Sequence, residues 1–226
     1  MKTPVLEGGT LRGPTAGVFF LVAGVVVASA VGFYAPYLSR VPSFRGSGWP
    51  VHFHVLSLVA WLGMLCAQAW LGWSGRHASH GRVGRLSYLL VPLIVLGFVL
   101  VTDFGQQRAK QPDLLGAAVF DGALFLACYV LAIRERRNSR YHSRYMMLTA
   151  VALMNAPLGR ATSPEVSVTV QAMLLLGLLS LARLRGGVWQ PYAVAATVYV
   201  GLLLAVLVVT VGTPQVLEGL WQVFWG

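Results

Sequence analysis

Apolar residues along this chain gather into seven long runs, at about residues 16–37, 51–73, 86–102, 114–133, 144–159, 166–184 and 191–211. A hydrocarbon core of about 30 Å takes roughly 20 helical residues to cross, and each run meets or approaches that length. Backbone N–H and C=O groups find no water inside a bilayer, so such runs fold as helices that satisfy their own hydrogen bonds. The period-two alternation of a membrane β-barrel is not present in them. Turn residues punctuate the runs: Pro36 and Pro42, Gly75 and Gly81, Pro112, Pro164, Gly186-Gly187 and Pro191. The fifth run is the weakest, being short and interrupted near one end by Asn155 and Pro157. The expected fold is all-α, a polytopic membrane helix bundle of about seven transmembrane helices, with residues 1–226 forming a single membrane domain.

The two ends of the chain need separate treatment. Lys2 and Arg12 precede the first run much as the charged segment of a signal peptide would. Its apolar core of about 20 residues is longer than the 7–15 of a signal, and Tyr34-Ala35-Pro36 is a poor cleavage context, so it reads as a retained helix. After the last run, Leu217, Leu220, Trp221, Phe224 and Trp225 recur at helical spacing. That pattern predicts a short amphipathic helix over 215–226, lying in the membrane interface.

Composition supports this picture. The chain is 57% hydrophobic and 11% charged, with a mean hydropathy of +0.70, against roughly 25% charged residues in a soluble domain. This excludes a soluble enzyme, a disordered chain and a nucleic-acid binder, despite the net charge of +10. The basic residues sit between the apolar runs. The N-terminal tail and the second, fourth and sixth loops carry Lys2, Arg12 and ten arginines, from Arg76 to Arg185; the opposite side carries Arg40, Arg45, Arg108, Lys110 and Arg160. By the positive-inside rule, that asymmetry predicts an N-in/C-out protein of a bacterial inner membrane. The lipid bilayer is then the first partner, with other membrane subunits as further candidates. Cys66 and Cys128 both lie inside apolar runs and read as packed thiols rather than a disulfide.

Seven runs suggest a retinal protein, but that chemistry needs a lysine within a span, and the two lysines, Lys2 and Lys110, lie outside the runs. The second run is more informative. His54, Trp61 and Gln68 recur every seven residues and share one helical face. Polar groups in a span face the bundle interior. Two readings stay open for His54: interior glue between helices, or a haem or metal ligand or proton-relay group. His52 and His54 look like a bidentate pair, but Pro50 suits a first helical turn, and residues two apart on a helix point in nearly opposite directions.

The same half of the bundle receives Asp103, Asp121, Asn155 and Arg160. A carboxylate at the depth of Asp121 needs a partner, such as His54, Arg160 or an ion. His54 and Asp121 are therefore expected in one buried polar cluster, which is either structural or a metal or proton site. At the other end, His77 and His80 follow the second run and His142 precedes the fifth. His80 and His142 form a candidate axial pair for haem b or a transition metal, with Arg85 and Arg144 as candidate partners for haem propionates or anionic lipid headgroups.

Two short motifs carry a resemblance. His80-Gly-Arg-Val-Gly-Arg85-Leu-Ser-Tyr88 fits H-x-x-x-G-R-x-x-Y, and His142-Ser-Arg144-Tyr-Met146 fits H-x-R-x-M. Over about residues 50–160 the chain resembles small multi-helix bacterial inner-membrane proteins of unknown function, a likeness that implies a fold but no reaction. Its His-x-His segment is more weakly similar to haem-bearing respiratory membrane proteins. Two function classes follow. One is a membrane protein of electron transport that binds haem or metal, or serves as an accessory or assembly subunit. The other is a non-redox protein, either a small transporter or a purely structural subunit.

Overall fold

The structure, a computed structural model, describes residues 14–109 and 113–212 and five isolated positions beyond them. Of the amphipathic helix expected over 215–226, those five positions (Gln215, Glu218, Gly219, Gln222 and Val223) are helical, and its apolar residues Leu217, Leu220, Trp221, Phe224 and Trp225 lie outside the described residues. Among those residues the chain is helical throughout, with no strand. The helices are α1 (Pro14–Gly32), α2 (Trp49–Trp73), α3 (His77–Gly84), α4 (Ser87–Ala109), α5 (Asp113–Arg134), α6 (Ser139–Ala152), α7 (Asn155–Ala161), α8 (Pro164–Leu184) and α9 (Gln190–Leu207). Four helical stretches are long and apolar enough to cross a membrane: Trp49–Trp73, His77–Asp103 (α3 running into α4), Pro164–Leu184 and Gln190–Leu207. Gly17–Gly32 is a shorter apolar helix.

The outer surface suits lipid. Phe20, Leu56, Val59, Leu89, Val99, Val130, Leu176 and Val200 are all exposed, a density of apolar surface that a water-soluble monomer does not carry. Helix α2 carries exposed Trp49 at one end and exposed Trp70 and Trp73 at the other. At 1.5 Å per residue Trp49 and Trp70 stand about 31 Å apart, the thickness of a hydrocarbon core, as interfacial tryptophans do.

Helix α6 is the hub. It packs on α1, α2, α5 and α9, and six of its residues, Tyr145 and Leu148 through Ala152, are buried. A helix enclosed by protein needs no lipid-facing apolar stripe, which is why its run is the weakest in the sequence. Trp61 of α2 is fully buried against it and donates its indole N–H to Thr149 Oγ1 at 3.0 Å. The Trp61 ring also meets Phe125 and Tyr129 of α5 edge-on, with centroids 5.2 and 5.7 Å away. Cys66 and Cys128 are free thiols, half-buried and buried respectively.

The run over 144–159 is two helices, not one. α6 ends at Ala152 and α7 starts at Asn155, because Pro157 has no N–H to offer and its ring does not fit a continuous helix. α7 packs on α1 and α8, and Gly32 is what lets α1 approach: a Cβ there would overlap the carbonyl of Pro157. The turns α2–α3, α5–α6 and α8–α9 gather at one end of the bundle, which is the arginine-rich end.

Candidate functional site

The arginine-rich end brings His80 and His142 together. Residues 77–84, which hydropathy leaves as a loop, form α3, and the reversal at Gly75 (φ +70°) folds α3 back against the end of α2. A reciprocal pair of bonds then holds His80. Gln68 Nε2 donates to the His80 carbonyl at 3.1 Å, and His80 Nδ1 contacts the Gln68 carbonyl at 3.2 Å. His142, in the first turn of α6, places its Nδ1 2.8 Å from the Ala132 carbonyl of α5. The two rings face each other edge-on with centroids 6.4 Å apart.

These contacts fix the tautomer. A carbonyl oxygen only accepts, so Nδ1 carries the proton on both neutral rings and both Nε2 atoms keep a free lone pair. A backbone carbonyl behind the ring is the usual support of a metal-ligating histidine. A metal–nitrogen bond of about 2.0–2.1 Å, added to about 1.1 Å from ring nitrogen to centroid, lets two imidazoles share one ion with centroids up to about 6.4 Å apart, and the 6.4 Å of this pair lies at that upper limit. Burial pushes the pKa of His142 down. Its bond to Ala132 offsets part of that, and neighbouring His80 pushes it down again, so the neutral, ligand-ready form is favoured.

The two arginines do not both join this pair. Arg85 closes α3 with an exposed side chain, five residues past His80. Arg144 is two positions beyond His142 and so is turned about 200° around α6. Its guanidinium sits beside the Tyr192 hydroxyl of α9, and it lines a cleft with Arg140 and the α8–α9 turn. The H-x-R-x-M motif thus directs its histidine and its arginine to two different places.

The opposite half of the bundle holds the other candidates. Asp121 of α5 is buried and accepts from Asn155 Nδ2 at 2.9 Å; Asn155 Oδ1 in turn accepts from Ser167 Oγ of α8 at 2.6 Å. The partner of Asp121 is therefore Asn155, at the break between α6 and α7. His54 turns instead to α4, where its ring meets Phe98 edge-on at 4.9 Å and lies against Gly97. Its Nδ1 is buried without a hydrogen-bond partner, so no hydrogen bond joins His54 to Asp121. Arg160 is exposed over the Phe33 ring, 5.2 Å from its centroid. His52 bonds Tyr37 Oη through Nδ1 at 2.8 Å and packs on Phe44, which ties the α1–α2 loop to α2 and leaves His52 apart from His54. Asp103 is half-buried in α4.

No protein-family model, curated protein or solved structure matches this chain. The candidate sites therefore rest on geometry alone. Among the described residues no three His, Cys, Asp or Glu side chains converge to hold a metal ion. The residues that sequence reasoning missed are Ala132, which acts through its backbone and leaves no side-chain signal, and Ser167, an ordinary hydroxyl in an apolar run.

Proposed function

We propose that this chain is a multi-pass membrane protein of electron transport in which His80 and His142 would together hold a single metal centre. The observation that carries this reading is the matched pair of Nδ1–carbonyl contacts, which leaves Nε2 unengaged on each of two rings whose centroids are 6.4 Å apart. Two histidines with no third protein ligand suit an ion that brings its own remaining ligands. Haem iron, with four porphyrin nitrogens, is such an ion; zinc, which takes four protein ligands in a structural site, is not. The twelve-to-five distribution of basic residues supports an N-in/C-out bundle of about seven crossings in a bacterial inner membrane. In that orientation the pair lies at the cytoplasmic surface, with exposed Arg85 available to a propionate. The protein acts either as an electron carrier or as an accessory or assembly subunit that hands on its haem.

The test is to express the chain with haem supplied, purify it, and record its Soret absorbance and iron content. One haem per chain is expected, with Soret absorbance lost in H80A and in H142A. Absorbance that survives both substitutions, or a wild type with neither haem nor metal, overturns the assignment. One arrangement favours a second, non-redox reading as a small transporter. The α6–α7 break sets Asn155 against buried Asp121, and discontinuous helices beside a buried carboxylate are how transporters build ion sites. Proteoliposome uptake abolished by D121N, in protein without haem, would select that reading.

A further inference from the structure

A cleft of about 610 Å³ opens between the first turn of α6 and the α8–α9 turn. It does not coincide with the His80–His142 pair. Arg140 and Arg144, one helical turn apart, share the same face of α6 and line it together with Ser139, Ser143 and Gln190. No acidic side chain is among the residues that line it. Arg144 donates from Nη1 to the Arg140 carbonyl at 2.6 Å, which fixes the guanidinium in place, and its Nε–H is buried without a partner. The first N–H groups of α6 add to the positive end: Asn138 caps the helix with no side-chain bond, and helix-initial N–H groups have no intrahelical acceptor.

The far wall is equally ordered. Gly186, at φ +61°, terminates α8, and Gly187 N–H bonds back to the Ala182 carbonyl at 2.8 Å. Arg183 stacks over Trp189 at 4.1 Å and pins the turn beyond. Two arginines, two hydroxyls and a helix N-terminus converge on one cleft at the membrane surface, and that is the chemistry of a phosphate receptor. We propose that this cleft binds a phosphate-bearing anion, either the headgroup of an anionic lipid or a soluble phosphate. The site does not depend on the haem reading, because His142 faces the opposite side of α6.

The experiment compares wild type, R140Q and the R140Q/R144Q double variant, each checked for native helicity and a monodisperse elution. Arg140 is exposed, so R140Q keeps the test available if the double variant fails to fold. Retention of phosphatidylglycerol against phosphatidylcholine is read by native mass spectrometry, and inorganic phosphate is titrated against thermal stability of delipidated protein. Wild type is expected to retain the anionic lipid preferentially, with about a tenfold loss in the double variant and a smaller loss in R140Q. The H80A/H142A protein should retain it fully. Stabilisation by inorganic phosphate without lipid preference assigns a soluble ligand to the same cleft. Equal retention of the two lipids with no phosphate response, or binding that both arginine variants preserve, overturns the proposal.

Discussion

Asn155→Ala removes the side chain that joins Asp121 to Ser167, and the structure sets the size of the effect. Two hydrogen bonds are lost, at 2.9 and 2.6 Å, from groups with 4% and 2% of their surface exposed. The two losses are unequal. With Asn155 gone, the single Ser167 hydroxyl proton can go to the Pro164 carbonyl, 2.8 Å away, so Ser167 keeps a partner and costs little. Asp121 loses the side-chain donor that solvates it, and a buried acceptor left unpaired costs about 1–3 kcal/mol. Adding a typical interhelical bond of about 0.6 kcal/mol between membrane helices gives a total of about 2–4 kcal/mol. Ser167→Ala leaves Asp121 bonded and takes a donor only from the neutral Asn155 Oδ1, so it should cost about 1 kcal/mol, at the low end of that range. Reversible unfolding in mixed micelles measures both, and the double variant should be close to Asn155→Ala alone because the two share one network. An Asn155→Ala cost below about 0.5 kcal/mol, or one no larger than that of Ser167→Ala, would refute the assignment of Asn155 as the partner of Asp121.

Gly32→Ala should cost about 1–3 kcal/mol, since the new methyl meets the Pro157 carbonyl, whereas Gly63→Ala, with open space around it, should stay near wild type in the same unfolding assay. Trp61→Phe removes the bond to Thr149 while Thr149 keeps its own bond to the Met146 carbonyl, so a loss of about 1–2 kcal/mol is expected. His142 has a folded-state pKa below its ordinary value, so the unfolded chain binds its proton first on acidification. Stability of haem-free protein should therefore be full above about pH 6.5 and fall as the pH drops below it. A His142→Asn variant should lose that part of the dependence, and parallel pH profiles for the two proteins would contradict the shift.

Hydropathy locates most of the helices, since six of the seven apolar runs each hold one α-helix, yet it misses features set by protein rather than lipid. The run over 144–159 conceals a helix that starts at Ser139, since the polar first turn with Arg140 and His142 makes helical bonds without being apolar. α3 escaped notice for the same reason, being short and polar. Helical periodicity correctly set Trp61 and Gln68 on an interior face, where both are buried. It did not reveal which neighbour that face meets. His54 turns to α4 while Asp121 turns to α7 and α8, an outcome decided by how α5 is rotated against the other helices. The proximity of His80 and His142 was legible from two helix ends on one side. The carbonyls that orient their rings were not, because backbone groups carry no residue-specific signal.

The account turns on whether His80 and His142 bind one metal together. Pulsed electron paramagnetic resonance of the ferric, haem-loaded protein, with histidine labelled with ¹⁵N, counts the imidazole nitrogens on the iron. Two coordinated imidazoles in a low-spin centre are predicted. A high-spin centre, or a signal in the wild type with one imidazole or none, would contradict it.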